Sequence, residues 1–502
     1  MSLAAERKLG DRIAREIYRD ADFVDDPLLF DYVQAIWQPL QAAARARGEL
    51  TADMDERFAW GLMLIRDRSV NAFALPGGYM GVHLGLIGMV ASRDELASVL
   101  AHELSHVTQR HISRLTTKQG QQTPLLIAAM VLGALAASKS PNAANAVFAG
   151  SQAMMAQTQL NFSRDMEREA DRIGYNVMTQ AGYQPQAFVT MFEKLQQASR
   201  LNDSGGYPYL RSHPLTSERI ADMQLRLGRE GEVPAAAPVP SAMRAPAVAV
   251  DTAHSMMAAR ARILADPGVD VLRNGVAEAE SAQPSILQAN LGRQASVLYG
   301  AVLASIKLRE FAKAQRFVQS LQSLVRGDPA SARLARLLGV ELALAMGDIA
   351  QAANQVDTAA NDRPELFLLA QVAVQQHRQS LGTQASARIS GHARELLTDV
   401  MQRLQVWVST HPGDAGAWQQ LAGVASELNQ SLRALRAEAE VQAANLDLPA
   451  AVDRFKAAQD YARKTGLGVQ PGDHIEASII DTRLRQLDAQ SRELTREQTL
   501  QR

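Results

Sequence analysis

The pentapeptide His102-Glu103-Leu104-Ser105-His106 sits inside an apolar-periodic stretch and restricts the fold more than any other feature of the chain. Leu96, Val99, Leu100, Leu104 and Val107 form an apolar stripe through it, and Ser92-Arg93-Asp94-Glu95 is a capping-box signature for the start of a helix. On that helix two histidines four residues apart project from one face about a turn apart, so both imidazoles reach a single metal ion. Glu103 lies beside them, placed to take a proton from a water that the metal activates. The bland alternative is a pair of satisfied histidines. With 10 histidines in 502 residues, such a pattern arises by chance on the order of one time in a hundred. His111, nine residues after His102, points to the opposite side of a continuous helix and is left outside the site.

Two histidines hold a catalytic zinc poorly, so a third protein ligand is required, with the fourth position left for water. The stretch Ser163 to Gly174 offers Glu167, Glu169 and Asp171. Glu167 and Asp171 share a helix face, whereas Glu169 is rotated about 200° from Glu167 at roughly 100° per residue. Glu167 is therefore the predicted third ligand. Asp171 suits a supporting role, accepting the outer N–H of a liganding histidine and fixing its tautomer. Ala170 and Gly174 permit close helix packing there; the competing reading is a solvated, charge-laced face.

His102-Glu103-x-x-His106 followed by Ser163-Arg164-x-x-Glu167-x-Glu169-Ala170-Asp171 resembles the zinc metallopeptidase family that includes the HtpX proteases and the CAAX prenyl proteases. Asn71-Ala72-Phe73-Ala74-Leu75-Pro76-Gly77-Gly78-Tyr79 and Gly85-Leu86 match that family's pattern too, and the likeness covers roughly residues 5 to 230. It implies a gluzincin-type site, one zinc per chain on His102, His106 and Glu167, with Glu103 as general base. Gly77-Gly78 is a turn or bulge signal and Tyr79 to Leu84 is strand-like. One reading is a strand at the edge of the cleft, to which an extended substrate adds through Gly78, Tyr79, Met80 and Gly81. The other is an internal strand of a small sheet.

Leu210-Arg211-Ser212-His213-Pro214 is similar to the His-Pro segment of the periplasmic branch of this family, which carries tetratricopeptide repeats. In that branch the histidine occupies the open zinc position as a latch, which implies that His213 switches this enzyme off. Imidazole in that position removes the water and closes a four-ligand site. Arg219 pairs either with an acidic active-site group or with the oxyanion, and the sequence does not choose.

Pro124 to Ala137 is an apolar run of 14 residues, short of the ~20 that span a bilayer. It reads as a hydrophobic hairpin over the cleft, a membrane-surface contact or a buried core helix, and all three stay open. Residues 231–250 contain four prolines, which forbid a continuous helix and mark a semi-rigid linker. Beyond it, Asp328-Pro329 and Arg363-Pro364 are 35 residues apart, and His411-Pro412 and Leu448-Pro449 are 37 apart, close to the ~34-residue tetratricopeptide period. Gly347-Asp348 and Asn445-Leu446-Asp447 fit inter-helix turns, while Gly382 to Gly391 reads as a loop.

The expected architecture is mainly α with a small β-sheet. A gluzincin-type α+β metallopeptidase domain (1–230) is followed by the linker (231–250) and a tetratricopeptide-like α-solenoid (251–502) of about four irregular repeats. A net charge of −1 and no basic stripe give no reason to expect nucleic-acid binding. The absence of cysteine excludes disulfides and thiolate metal sites. Met1 to Arg7 lacks an apolar h-region, so a signal peptide is taken as absent from this sequence. The family resemblance implies a periplasmic protein that acts on unfolded or stalled outer-membrane β-barrel precursors and meets their assembly machinery through its repeats. Two rivals remain: a non-turnover chaperone or adaptor with a structural zinc, and a prenyl-processing enzyme, which would require a hydrophobic chamber.

Overall fold

The computed structural model describes residues 1–119, 164–201, 207–228, 251–281, 290–382, 387–465 and 472–500. The apolar run 124–137 and the Pro-rich stretch 231–250 lie outside them. The described residues are mainly helical, with one four-stranded sheet. They form two compact units, 1–335 and 336–502. Among them no helix is long and apolar enough to cross a membrane.

The first unit opens with helices α1 (Leu3–Tyr18), α2 (Pro27–Ala46) and α3 (Ala52–Arg57). Strands β1 (Phe23–Val24), β2 (Leu62–Ile65), β3 (Ala72–Leu75) and β4 (Tyr79–His83) pair in the order β1-β2-β4-β3. β4 runs parallel to β2, from Leu62 opposite Met80 to Ile65 opposite His83, and antiparallel to β3, from Ala72 opposite Val82 to Leu75 opposite Tyr79. The β3–β4 turn needs left-handed backbone at Gly77 (φ 76°) and Gly78 (φ 84°). α1 lies close against this turn: a Cβ on Gly77 would stand 2.7 Å from Arg7 Cα.

This order corrects one expectation. Tyr79 to His83 is the internal strand, buried along its length and paired on both sides, so Gly78, Tyr79, Met80 and Gly81 cannot accept an added strand. The glycine at 81 has a packing reason, since a Cβ there would meet the Phe73 ring at 2.1 Å. The outer strands are β1 and β3, and β3 is the one that flanks β4.

Beyond the sheet come α4 (Leu84–Met89), α5 (Arg93–Thr108), α6 (His111–Gln119), α7 (Arg164–Gln180), α8 (Gln186–Leu201), α9 (Tyr209–Ser212) and α10 (Ser217–Leu227). α5 starts at the N-cap its sequence signals: the Ser92 hydroxyl accepts the Glu95 N–H at 3.2 Å, while the Glu95 carboxylate accepts the N–H of Ala91, one residue before the cap, at 2.6 Å. Every residue of α5 from Asp94 to Thr108 is buried. It is the central helix of the unit, packed by α2, α7, α8 and β3. Helix Thr252–Leu264 belongs to the same unit, where Arg260 makes a buried bidentate pair with Asp26, the N-cap of α2, at 2.7–3.0 Å.

In the second unit, helices Arg363–Gly382, Ala387–Thr410, Ala415–Glu427, Ser431–Ala444, Leu448–Thr465 and Asp473–Leu500 pack in succession, each on the next. Phe455, Val452, Leu432, Ile480 and Leu487 fill a core between the last of them. The turn at Asn445-Leu446-Asp447 is present, with Leu446 at φ 61°. The expected loop over 382–391 is shorter, because helix resumes at Ala387 and runs through Gly391.

Candidate metal centre

Helices α5 and α7 build the centre by close approach. A Cβ on Gly174 would stand 3.1 Å from the Ala101 carbonyl and the His102 nitrogen, so α7 touches the α5 backbone at the level of the first histidine. This brings Glu167, two turns back along α7, against both histidines. His213 arrives from α9, whose last residue it caps. All four side chains are buried, and one donor atom from each of His102, His106, Glu167 and His213 lies within 4.8 Å of the other three.

The donor spacings test whether a metal fits. His102 Nε2 is 3.0 Å from His106 Nε2 and 3.4 Å from His213 Nδ1. Glu167 Oε1 is 3.0 Å from His213 Nδ1 and 3.4 Å from His106 Nε2, and its Oε2 is 3.5 Å from His102 Nε2. Metal–donor bonds of ~2.0–2.1 Å in a tetrahedron set its donors about 3.3–3.4 Å apart. Three imidazole nitrogens and one carboxylate oxygen turned inward at this spacing fit a tetrahedral metal ion such as zinc.

The supporting groups are held as firmly. Asp171 Oδ1 stands 2.9 Å from His102 Nδ1, the outer nitrogen of that ring. Of the two roles open to Arg219, pairing with acidic groups is the one observed. Its Nε and Nη2 hold the Asp171 carboxylate at 2.6 and 2.7 Å, and its Nη1 lies 2.8 Å from Glu167 Oε2 and from the Pro214 carbonyl oxygen. Glu103 Oε2 accepts the Ala74 N–H of β3 at 3.1 Å, and its Oε1 is 3.4 Å from His213 Nε2. The His213 ring therefore lies between the donor cluster and Glu103.

Burial and charge set the proton affinities. Burial raises the Glu103 carboxyl above its ordinary value against the opposing pull of His213 and His102. Burial also disfavours charge on His102, but Asp171 and Glu167 outweigh it and lift that imidazole to about 9. His106 is driven well below its usual value by burial. Glu167 and Asp171 stay ionised despite burial, the first through His213 and His102, the second chiefly through Arg219.

Three contacts were not foreseen. Tyr209 stacks on His213, with ring centroids 4.7 Å apart, and lies edge-on to His102. The Ala74 amide reaches Glu103 from a strand that sequence spacing does not connect to α5. His111, set aside above on helical phase, packs against His106 with its Nδ1 2.9 Å from His106 Nδ1. The phase argument fails because α5 ends at Thr108 and Arg110 adopts φ 54°, so His111 starts a new helix pointing back at the site. No glycine, asparagine or proline marks this break in the sequence.

Residues 30–227 match the profile of Peptidase family M48. A putative beta-barrel assembly-enhancing protease of Vibrio cholerae is 32% identical over 322 residues, which are 64% of this chain and 60% of that protein. The beta-barrel assembly-enhancing protease of Escherichia coli K12 is 27% identical over 442 residues, covering 88% of this chain and 80% of the relative. The mitochondrial metalloendopeptidase OMA1 of Arabidopsis thaliana is 33% identical over 164 residues, 33% of this chain and 31% of that one.

Proposed function

We propose, since this chain is a metalloendopeptidase of family M48, that His102, His106 and Glu167 hold one zinc ion and that Glu103 is the general base of peptide hydrolysis. The observation that carries this reading is the convergence of buried donors at tetrahedral spacing beside a buried carboxylate. Zinc in that seat supplies Lewis acidity to the scissile carbonyl and to the attacking water. Glu103 takes the proton from that water and returns it to the leaving amine, a task helped by the upward shift that burial gives its carboxyl. The Ala74 N–H fixes Glu103 through Oε2 and leaves Oε1 toward the reacting groups. Asp171 orients His102, and Arg219 balances the charge of Asp171 and Glu167.

His213 is the latch. Its Nδ1 takes the fourth corner and its Nε2 stands against Glu103, so it displaces the water and blocks the base together. Substrate enters once the His213 segment moves away. An extended chain then adds along β3, the edge strand whose Ala74 meets the base.

The relatives' names support protein substrates in outer-membrane β-barrel assembly, with unfolded or stalled barrel precursors as clients and the periplasm as the compartment. Residues 1–230 carry the peptidase and 251–502 a tetratricopeptide-like array, whose residues up to Ala335 share a compact unit with the peptidase. The array binds clients and their assembly machinery. A second reading, a chaperone or adaptor with structural zinc, is favoured by one observation: the fourth donor corner is filled by protein.

Zinc stoichiometry and cleavage of casein and an unfolded barrel protein, measured for wild type, Glu103→Gln and His213→Ala, separate the two. One zinc in each, faster cleavage and self-cleavage in His213→Ala and none in Glu103→Gln support the latched protease. Zinc in all three without cleavage in any supports the adaptor.

A further inference from the structure

The two histidines of the motif are steadied from outside in different ways. His102 turns its outer nitrogen to Asp171, as a carboxylate-oriented ligand does. His106 turns its outer nitrogen to a second imidazole, His111, which in turn faces Glu169.

The contacts assign the protons. His106 Nε2 faces His102 Nε2 and Glu167 Oε1, so as a donor to a metal it presents its lone pair, and the ring carries its hydrogen on Nδ1. That N–H meets His111 Nδ1 at 2.9 Å, where only an acceptor fits. His111 then carries its own hydrogen on Nε2, which donates to Glu169 Oε2 at 3.1 Å. Arg114 Nη1 holds the same carboxylate oxygen at 2.7 Å. His111 is fully buried, and the chain leads outward from the donor cluster to the partly exposed Glu169.

We infer that His111 and Glu169 are positioning residues for His106: they fix its tautomer and ring angle and pass carboxylate character to it through two hydrogen bonds. One helix, α7, thereby supplies the ligand Glu167, the His102 partner Asp171 and, from another face between them, the terminus of the His106 relay. The turn at Arg110 is what makes the relay possible, and it is itself held, with Arg110 Nε 2.8 Å from Glu6 Oε1 on α1.

The inference rests on the metal reading above, and the test separates the two. Zinc affinity and stoichiometry are measured on the full chain by competition with a chromophoric chelator, for wild type, His106→Ala, His111→Leu, His111→Gln and Glu169→Gln. Circular dichroism of the metal-free proteins serves as the folding check. His111→Leu fills the space but cannot accept, and it should weaken zinc binding about 10–100-fold. His111→Gln can accept from His106 and donate to Glu169 and should recover most of that loss, which a purely structural role would not produce. Glu169→Gln should weaken binding in the same direction by less. Wild-type affinity in His111→Leu, or equal losses in the leucine and glutamine variants, overturns the inference. If His111→Leu does not fold, unchanged affinity in Glu169→Gln overturns it instead. A wild-type chain that binds no zinc, or a His106→Ala chain that binds as wild type does, sinks the metal reading rather than the relay alone.

Discussion

Replacing Arg219 with alanine should destabilise the peptidase unit by about 3–5 kcal/mol, because it breaks a buried charge cluster from one side. The guanidinium is 3% exposed and makes four close contacts: two to Asp171, one to Glu167 and one to the Pro214 carbonyl. It also covers the Phe192 ring at 5.1 Å. Its removal leaves two buried carboxylates with only the site histidines to balance them. At about 2–4 °C per kcal/mol the melting transition should fall by about 6–20 °C, read by calorimetry on metal-free protein near neutral pH. The pH dependence follows from the Asp171 carboxyl, which burial would raise but Arg219 holds below its ordinary 3.8. A depressed folded value gives stability that is complete above the unfolded pKa and disappears as pH falls through the folded one. The gap between wild type and variant should therefore be widest at neutral pH and narrow below about pH 4. Combining Arg219→Leu with Asp171→Asn should cost less than the two changes added, since no orphaned aspartate remains. A loss under about 1 kcal/mol, within the range of an exposed pair, or strict additivity in the double variant would refute the charge-balance argument.

Glu103→Gln should keep its zinc and lose cleavage by about 10²–10⁴-fold, the range a positioned general base supplies; unchanged turnover would remove Glu103 from the chemistry. Gly174→Val presses on the Ala101 carbonyl and should cost about 1–3 kcal/mol while weakening zinc binding, because α7 carries Glu167. Equal zinc affinity in that variant would show that the helices separate without moving the ligand. In the second unit, Asp414 caps helix Ala415–Glu427 and holds Arg363 at 2.8 and 2.9 Å and the Trp407 indole N–H at 2.9 Å. Burial opposes its charge but Arg363 prevails, so its carboxyl lies below 3.8. The stability it contributes is present above that value and is lost as pH falls through the depressed one. Acid unfolding followed by Trp407 fluorescence should therefore begin at higher pH in Arg363→Ala.

Local features of this chain were readable without coordinates because their geometry is fixed within a turn or two. His102 and His106 converge by helical spacing, Ser92 caps by type and position, and Glu167 and Asp171 fall on one face of α7. The sheet was not readable in the same way: Tyr79 to His83 has the composition of either an edge or an interior strand, and only its pairing with β2, fourteen or more residues upstream, decides. Arg219 was likewise left between two roles because its partners lie on α7, 48 and 52 residues away in sequence. His111 is the most instructive case, since the helical rule that found the site also excluded a member of its surroundings. A periodicity argument holds only while the helix lasts, and a non-glycine residue at positive φ, as Arg110 is, leaves no compositional mark of the break. What permits that conformation is tertiary: the Glu6 carboxylate of α1 pairs with the Arg110 guanidinium across 104 positions of sequence. Removing Glu6 should therefore loosen the turn and, with it, the hold of His111 on His106, which makes α1 part of the support of the site.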